Sequence, residues 1–227
     1  MGLDVARGLA VVGMFAVHVG PVAYRSGAGY FLIAAQGRSS ALFVLVAGCS
    51  LAVARERASA CPAAVLLRRT VIRCVCLLVL GLCLATLRTG FFVILSFYAV
   101  YFLAVEPFLR LGTRLLAVAA AGVILGPVLS YVLGPLLGFR TAGRGAAPDL
   151  SDLTSWAGVA RTLDQLLLTG AYPALTYLPY LLVGLALGRL AETNRPALLW
   201  LMASCGTAAA IAGTPVSRLD WMRRRPP

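Results

Sequence analysis

Apolar residues in this 227-residue chain come in long blocks with few polar interruptions. Seven runs stand out, at about 3–24, 39–54, 70–87, 91–109, 115–137, 171–190 and 197–213, the last short and weak. None alternates polar and apolar positions as a barrel strand does, and only helices or closed barrels satisfy the backbone in lipid. A bilayer core about 30 Å thick takes about 20 residues per helix. The pattern therefore predicts an all-α fold: a polytopic transmembrane helical bundle of six or seven spans, multi-pass in the cell's inner (plasma) membrane, with no large soluble domain.

Composition agrees. Hydrophobic residues make up 60% of the chain, charged residues only 12%, and the mean hydropathy is +0.89. These values exclude a disordered chain, a coiled coil and an ordinary soluble enzyme. The net charge of +12 comes from twenty basic residues, all of them Arg. The Arg residues sit between apolar runs, where topology signals belong, so nucleic acid is not predicted as a partner and the lipid bilayer is. Arg in place of Lys, with much Ala, Gly, Leu and Val, points to a GC-rich bacterial genome. Asp4 and Arg7 come early and no A-x-A site follows closely, so the first run reads as a retained span and not a signal peptide.

Orientation follows from the Arg count. With the N-terminus cytoplasmic, ten Arg fall on the inner side (7, 55, 57, 68, 69, 73, 110, 114, 189, 195) and six on the outer (25, 38, 88, 140, 144, 161). The tail Arg218, Arg223, Arg224 and Arg225 would then lie outside if the seventh run crosses. The tail thus reads as truncated or out-of-frame sequence, and the domain expectation is 2–190 as a transmembrane domain followed by 191–227. The long loop 138–170 is expected outside, with a surface helix in Ser151–Thr169 whose apolar side is Leu163, Leu166 and Leu167. Small residues four apart at Gly122/Gly126, Gly134/Gly138 and Gly184/Gly188 mark places where helices come close.

Polar residues inside spans are the functional candidates. Asp4, Arg7, Val11, Met14 and His18 share one helix face. Asp4 and Arg7 form an i,i+3 pair at the cytoplasmic end and suit binding or anchoring. His18, the only His, lies about 21 Å further along, near the outer end. Its ordinary pKa of about 6.5 suits a general base. Arg38 opens the second span at the same outer surface if spans one and two are neighbours. There it would handle an anionic acyl donor or an oxyanion. Tyr98 and Tyr177 lie deep enough to line a cavity, while Pro173 and Pro179 are expected to break or bend the sixth helix. Six Cys make no C-x-x-C pair, and Cys74 and Cys76 should face different ways. A single His with no carboxylate beside it predicts no metal.

The stretches LDVARGLAVVGMFAVHVGP, QGRSSALFVLVAGCSLAVA, VILSFYAVYFLAVEPFLRL and AYPALTYLPYLLVGLALGRL together resemble bacterial proteins of the heparan-alpha-glucosaminide N-acetyltransferase catalytic-domain family. The resemblance covers most of 2–190. It implies a multi-span membrane acyltransferase with a cytoplasmic N-terminus and acetyl-CoA as acyl donor. The family's proposed catalytic His follows the first span. Here Tyr24–Gln36 holds no His, so His18 takes that role. The implied function is transfer of an acyl group from acyl-CoA to an extracytoplasmic sugar or glycan, an acetyl-CoA-dependent N- or O-acetyltransferase. Arg38, Asp4, Arg7, Tyr98 and Tyr177 are its candidate substrate-binding residues. A homo-oligomer is compatible with this reading. The alternatives are a transporter or flippase, against which the absence of paired short spans counts, and an inactive membrane remnant.

Overall fold

The computed structural model describes residues 2–19, 38–87, 93–112 and 147–192, and part of a further helix between 114 and 136. The rest of the first run, the loop before Arg38, Gly134/Gly138, the seventh run and the Arg tail lie outside the described residues. Every regular element among the described residues is helical. They are α1 (Gly2–Val19), α2 (Arg38–Arg57), α3 (Ala63–Thr86), α4 (Leu95–Ala104), α5 (Trp156–Asp164) and α6 (Ala174–Glu192). Two of them, over Arg38–Arg57 and Ala174–Ala191, are long and apolar enough to cross a membrane.

Local chemistry sets the ends. Pro62 precedes α3 and its carbonyl accepts from Val65 and Leu66, so the helix starts seven residues before the third apolar run and takes in Arg68 and Arg69. Pro107 has no N–H to continue α4, and the chain tightens there into a 3-10 turn, Glu106–Arg110. Asp149 caps a second 3-10 turn, Leu150–Thr154, in a reciprocal arrangement with Asp152. Ser155 caps α5 by accepting from the Gly158 amide at 3.1 Å. Pro173 sits just before α6, and its carbonyl accepts from Thr176 and Tyr177. It therefore starts this helix and does not break it. Pro179 lies inside α6, which continues through it. Its missing N–H leaves the Leu175 carbonyl without its helical donor, and that carbonyl faces Gly126 of the partly described helix.

Close approaches fix the directions. Gly13 meets Ser39 and Arg7 reaches Ser50, so α1 and α2 are antiparallel. Gly81 backs onto Ser96 and Arg73 lies over Phe102, so α3 and α4 are antiparallel. Phe43 meets Tyr98 while Arg55 meets Glu106, which makes α2 and α4 parallel. Gly48 faces Leu181 and Leu185, Gly184 faces Leu45, and Gly188 faces Ala52, so α2 and α6 run side by side in parallel. Gly122 meets Pro179 and Gly126 meets Leu175, so the helix through 114–136 runs against α6. The long helices thus alternate in direction along the chain, apart from the short α5 at one end.

The core lies between α2, α4 and α6. It holds Val44, Ala52, Phe97, Tyr101, Leu181 and Leu185, all buried. At Gly48 and Gly184 the absent side chain lets α2 and α6 touch backbone to backbone. Val5, Leu9, Val12 and Phe15 of α1 and Val71, Ile72, Val75 and Val79 of α3 are exposed, an apolar outer surface on both helices.

Candidate functional site

The antiparallel α1–α2 pair brings the end of α1 that carries His18 to the end of α2 that carries Arg38. One turn behind His18, the Met14 carbonyl lies 2.7 Å from its Nδ1. When Nδ1 donates in that bond, Nε2 is the basic nitrogen of the neutral ring. Ser40, in the first turn of α2, meets the Tyr172 hydroxyl. Tyr172 extends this end of the bundle: its ring stands edge-on to Phe97 at 5.7 Å and to Tyr177 at 5.7 Å, and its carbonyl accepts from the Tyr101 hydroxyl.

Asp4 and Arg7 sit at the other end of α1. The Arg7 guanidinium is 3.4 Å from the Asp4 carboxylate and donates to Ser50 Oγ at 2.7 Å, and Ser50 in turn donates to the Val46 carbonyl. Arg7 also lies within electrostatic range of the Tyr98 hydroxyl. Tyr98 is buried in an aromatic cluster with Phe43, Tyr101 and Phe102, with centroids 5.5–5.6 Å apart. Tyr177 joins Tyr172 and Tyr180 in a second group. The six candidates therefore divide: His18 and Arg38 at one end, Asp4 and Arg7 at the other, Tyr98 and Tyr177 in the packed interior between.

Three features were not singled out as sites in the sequence. Arg55 pairs with Glu106 and also donates to Thr70 Oγ1 at 3.1 Å, joining α2, α3 and the turn after α4. Arg189 donates to the Leu111 carbonyl at 2.6 Å and to that of Leu109, holding α6 to the same turn. Partners so far apart in the chain are fixed by the bundle's register, which spacing alone does not give. The third feature is α5 with the turn that follows it, Gln165–Thr169. Of the three leucines expected to form its apolar side, Leu166 is buried while Leu163 and Leu167 are exposed. The buried side carries Thr162, Asp164 and Gln165 instead. An acidic residue in the run TLDQLLLTG was the available signal. Cys74 is buried and Cys76 exposed, as their offset on α3 requires. No group of three or more metal-ligating side chains occurs among the described residues.

A family described as heparan-alpha-glucosaminide N-acetyltransferase, catalytic, matches residues 1–214, a span that continues past residue 190. No curated protein and no solved structure matches the chain.

Proposed function

The chain belongs to the heparan-alpha-glucosaminide N-acetyltransferase catalytic family, and from that premise we propose that it is a multi-pass membrane acetyltransferase that moves an acetyl group from acetyl-CoA to a sugar or glycan outside the cytoplasm. The observation that carries the reading is the antiparallel α1–α2 contact at Gly13 and Ser39, which supports a shared site for His18 and Arg38.

The membrane part of the proposal rests on geometry and surface. α3 has 24 residues, which is about 36 Å at about 1.5 Å per residue. The alternating helix directions and the apolar outer faces of α1 and α3 fit six spans with a cytoplasmic N-terminus. In that orientation the Arg55–Glu106 end is cytoplasmic and the His18–Arg38 end is outside. The domain runs through 2–190 at least, in the plasma membrane of a bacterium.

Acetyl-CoA supplies an activated thioester when bound. Exposed Arg57, Arg68, Arg69 and Arg110 stand at the proposed cytoplasmic end, and their guanidinium groups suit its phosphates. At the other end, which the thioester would reach on the donor's flexible arm, His18 would take the proton from the acceptor's amine or hydroxyl as that atom attacks the thioester carbonyl carbon. The C–N or C–O bond forms, the C–S bond breaks, and CoA would leave as the thiol with the proton that His18 received. Arg38 faces the negative charge that develops on the acyl oxygen. Asp4 and Arg7 steady the cytoplasmic end of α1, while Tyr98 and Tyr177, packed between the two ends, are the side chains the donor would pass.

The test is acetyl transfer by the purified chain in lipid nanodiscs, with radiolabelled acetyl-CoA and glucosamine. His18→Ala should remove transfer, a loss of about 100-fold or more, with membrane insertion unchanged. Unchanged transfer would remove His18 from the mechanism. Uptake of solute into proteoliposomes without any acyl donor would favour a transporter.

A further inference from the structure

Three polar residues at the end of α5 and the start of the turn after it are buried. Leu163 and Leu167 face out, while Thr162, Asp164 and Gln165 face the bundle, with Asp164 8% and Gln165 6% exposed. Thr162 Oγ1, Asp164 Oδ1 and Gln165 Oε1 are buried with no hydrogen-bond partner in the structure. Buried polar atoms are almost always paired, so three orphans within four residues call for an explanation. The neighbouring cation does not supply one, because Arg161 turns outward to Asp152 at 3.3 Å.

The carboxylate is nevertheless held in place. Its second oxygen, Oδ2, accepts from Thr169 Oγ1 at 2.6 Å. That bond spans a π turn, Gln165–Thr169, closed by the Gly170 amide donating to the Gln165 carbonyl at 2.9 Å. Such turns are rare and recur at functional sites. This one packs against α4 and α6. Gly170 backs onto Phe97, whose ring meets Tyr172, whose hydroxyl meets Ser40, two residues from Arg38. The orphans thus belong to the end of the bundle that also carries His18.

We propose that Asp164, with Gln165 and Thr162, forms a binding site for a ligand rich in hydrogen-bond donors, the amino and hydroxyl groups of a sugar. Asp164 Oδ1 and Gln165 Oε1 only accept, and the Thr162 hydroxyl can do either, so the cluster is short of donors. An ammonium group would also neutralise the carboxylate. As the acceptor subsite this rests on the acetyl-transfer reading above, but the binding itself does not.

The experiment is therefore equilibrium binding, with glucosamine as probe and glucose as the comparison that lacks the amine, read as the shift in thermal unfolding of the intact chain in nanodiscs. Glucosamine should raise the unfolding temperature of the wild type more than glucose does. Asp164→Asn should weaken its apparent affinity about tenfold or more. Thr162→Val and Gln165→Leu, which remove one orphan each, should weaken it less and keep the fold if Asp164→Asn does not. No shift in the wild type, or shifts equal to wild type in the variants that fold, would overturn the site. Binding without any acetyl transfer would leave the site standing and remove the transfer reading.

Discussion

Gly48 offers a direct test of how α2 and α6 are held. In lipid, helices gain nothing from leaving water for one another, so close packing must do most of the work. A Cβ at Gly48 would stand 2.8 Å from the Leu185 nitrogen, against 3.4–4 Å for ordinary contact. Backbone cannot swing aside, and the Leu181 carbonyl lies nearer than the Leu185 nitrogen, so Gly48→Ala must push the helices apart by about 1 Å or more. Overfilling a packed interior costs about 1–3 kcal/mol, and Ala returns up to about 1 kcal/mol in helix preference. Because the Leu181 carbonyl stands closer still, the cost lies at the upper end, and the net loss is about 2 kcal/mol, or about 30-fold in the unfolding constant. Gly8 is the matched control, because nothing lies within 4 Å of its Cβ direction. Gly8→Ala should be neutral or stabilise by up to about 1 kcal/mol. Reversible unfolding in mixed micelles, followed by helix content as SDS fraction rises, measures both. Equal stability of Gly48→Ala and wild type, with Gly8→Ala also unchanged, would refute the close approach of α2 and α6.

The Arg55–Glu106 pair is 22% and 18% exposed at its side chains. A double-mutant cycle with Arg55→Met and Glu106→Gln should give a coupling of about 1–3 kcal/mol, and a coupling near zero would make the contact incidental. Cys61 lies in the turn between α2 and α3, at the end that also carries Glu106. With Cys61 as the sole cysteine, an impermeant maleimide should label it in cells only after permeabilisation, and labelling of intact cells would reverse the proposed orientation. Trp156 is exposed at the start of α5. Lipids brominated near the headgroup should quench the fluorescence that Trp156→Phe removes, and quenching only by aqueous iodide would take α5 off the membrane surface.

The helical class was legible because long apolar blocks leave the backbone no other solution in lipid. Ends were less legible. Arg68 and Arg69 marked a loop in the sequence, yet α3 begins at Ala63 and includes them, since Arg side chains can extend away from an apolar surface. Gly184 and Gly188 announced a close contact but not its partner, which is α2. The meeting of the His18 and Arg38 ends was legible only on the condition that the first two helices are neighbours, and they are. The helix expected within Ser151–Thr169 forms as α5, and its exposed Leu163, with Leu167 just beyond it, suits a lipid boundary; the burial of Asp164 was not legible, because composition alone does not show what a helix packs against.

The parallel seam between α2 and α6 also constrains how the protein is made. The two helices are built about 135 residues apart, between Arg57 and Glu192. At about 5–20 residues per second, the ribosome completes α6 roughly 7–27 s after α2. For that interval the face of α2 around Gly48 has no mate, and the insertion machinery or the lipid must occupy it. α6 is thus the helix that closes the core between α2 and α4, and a chain arrested before α6 is a half-built bundle.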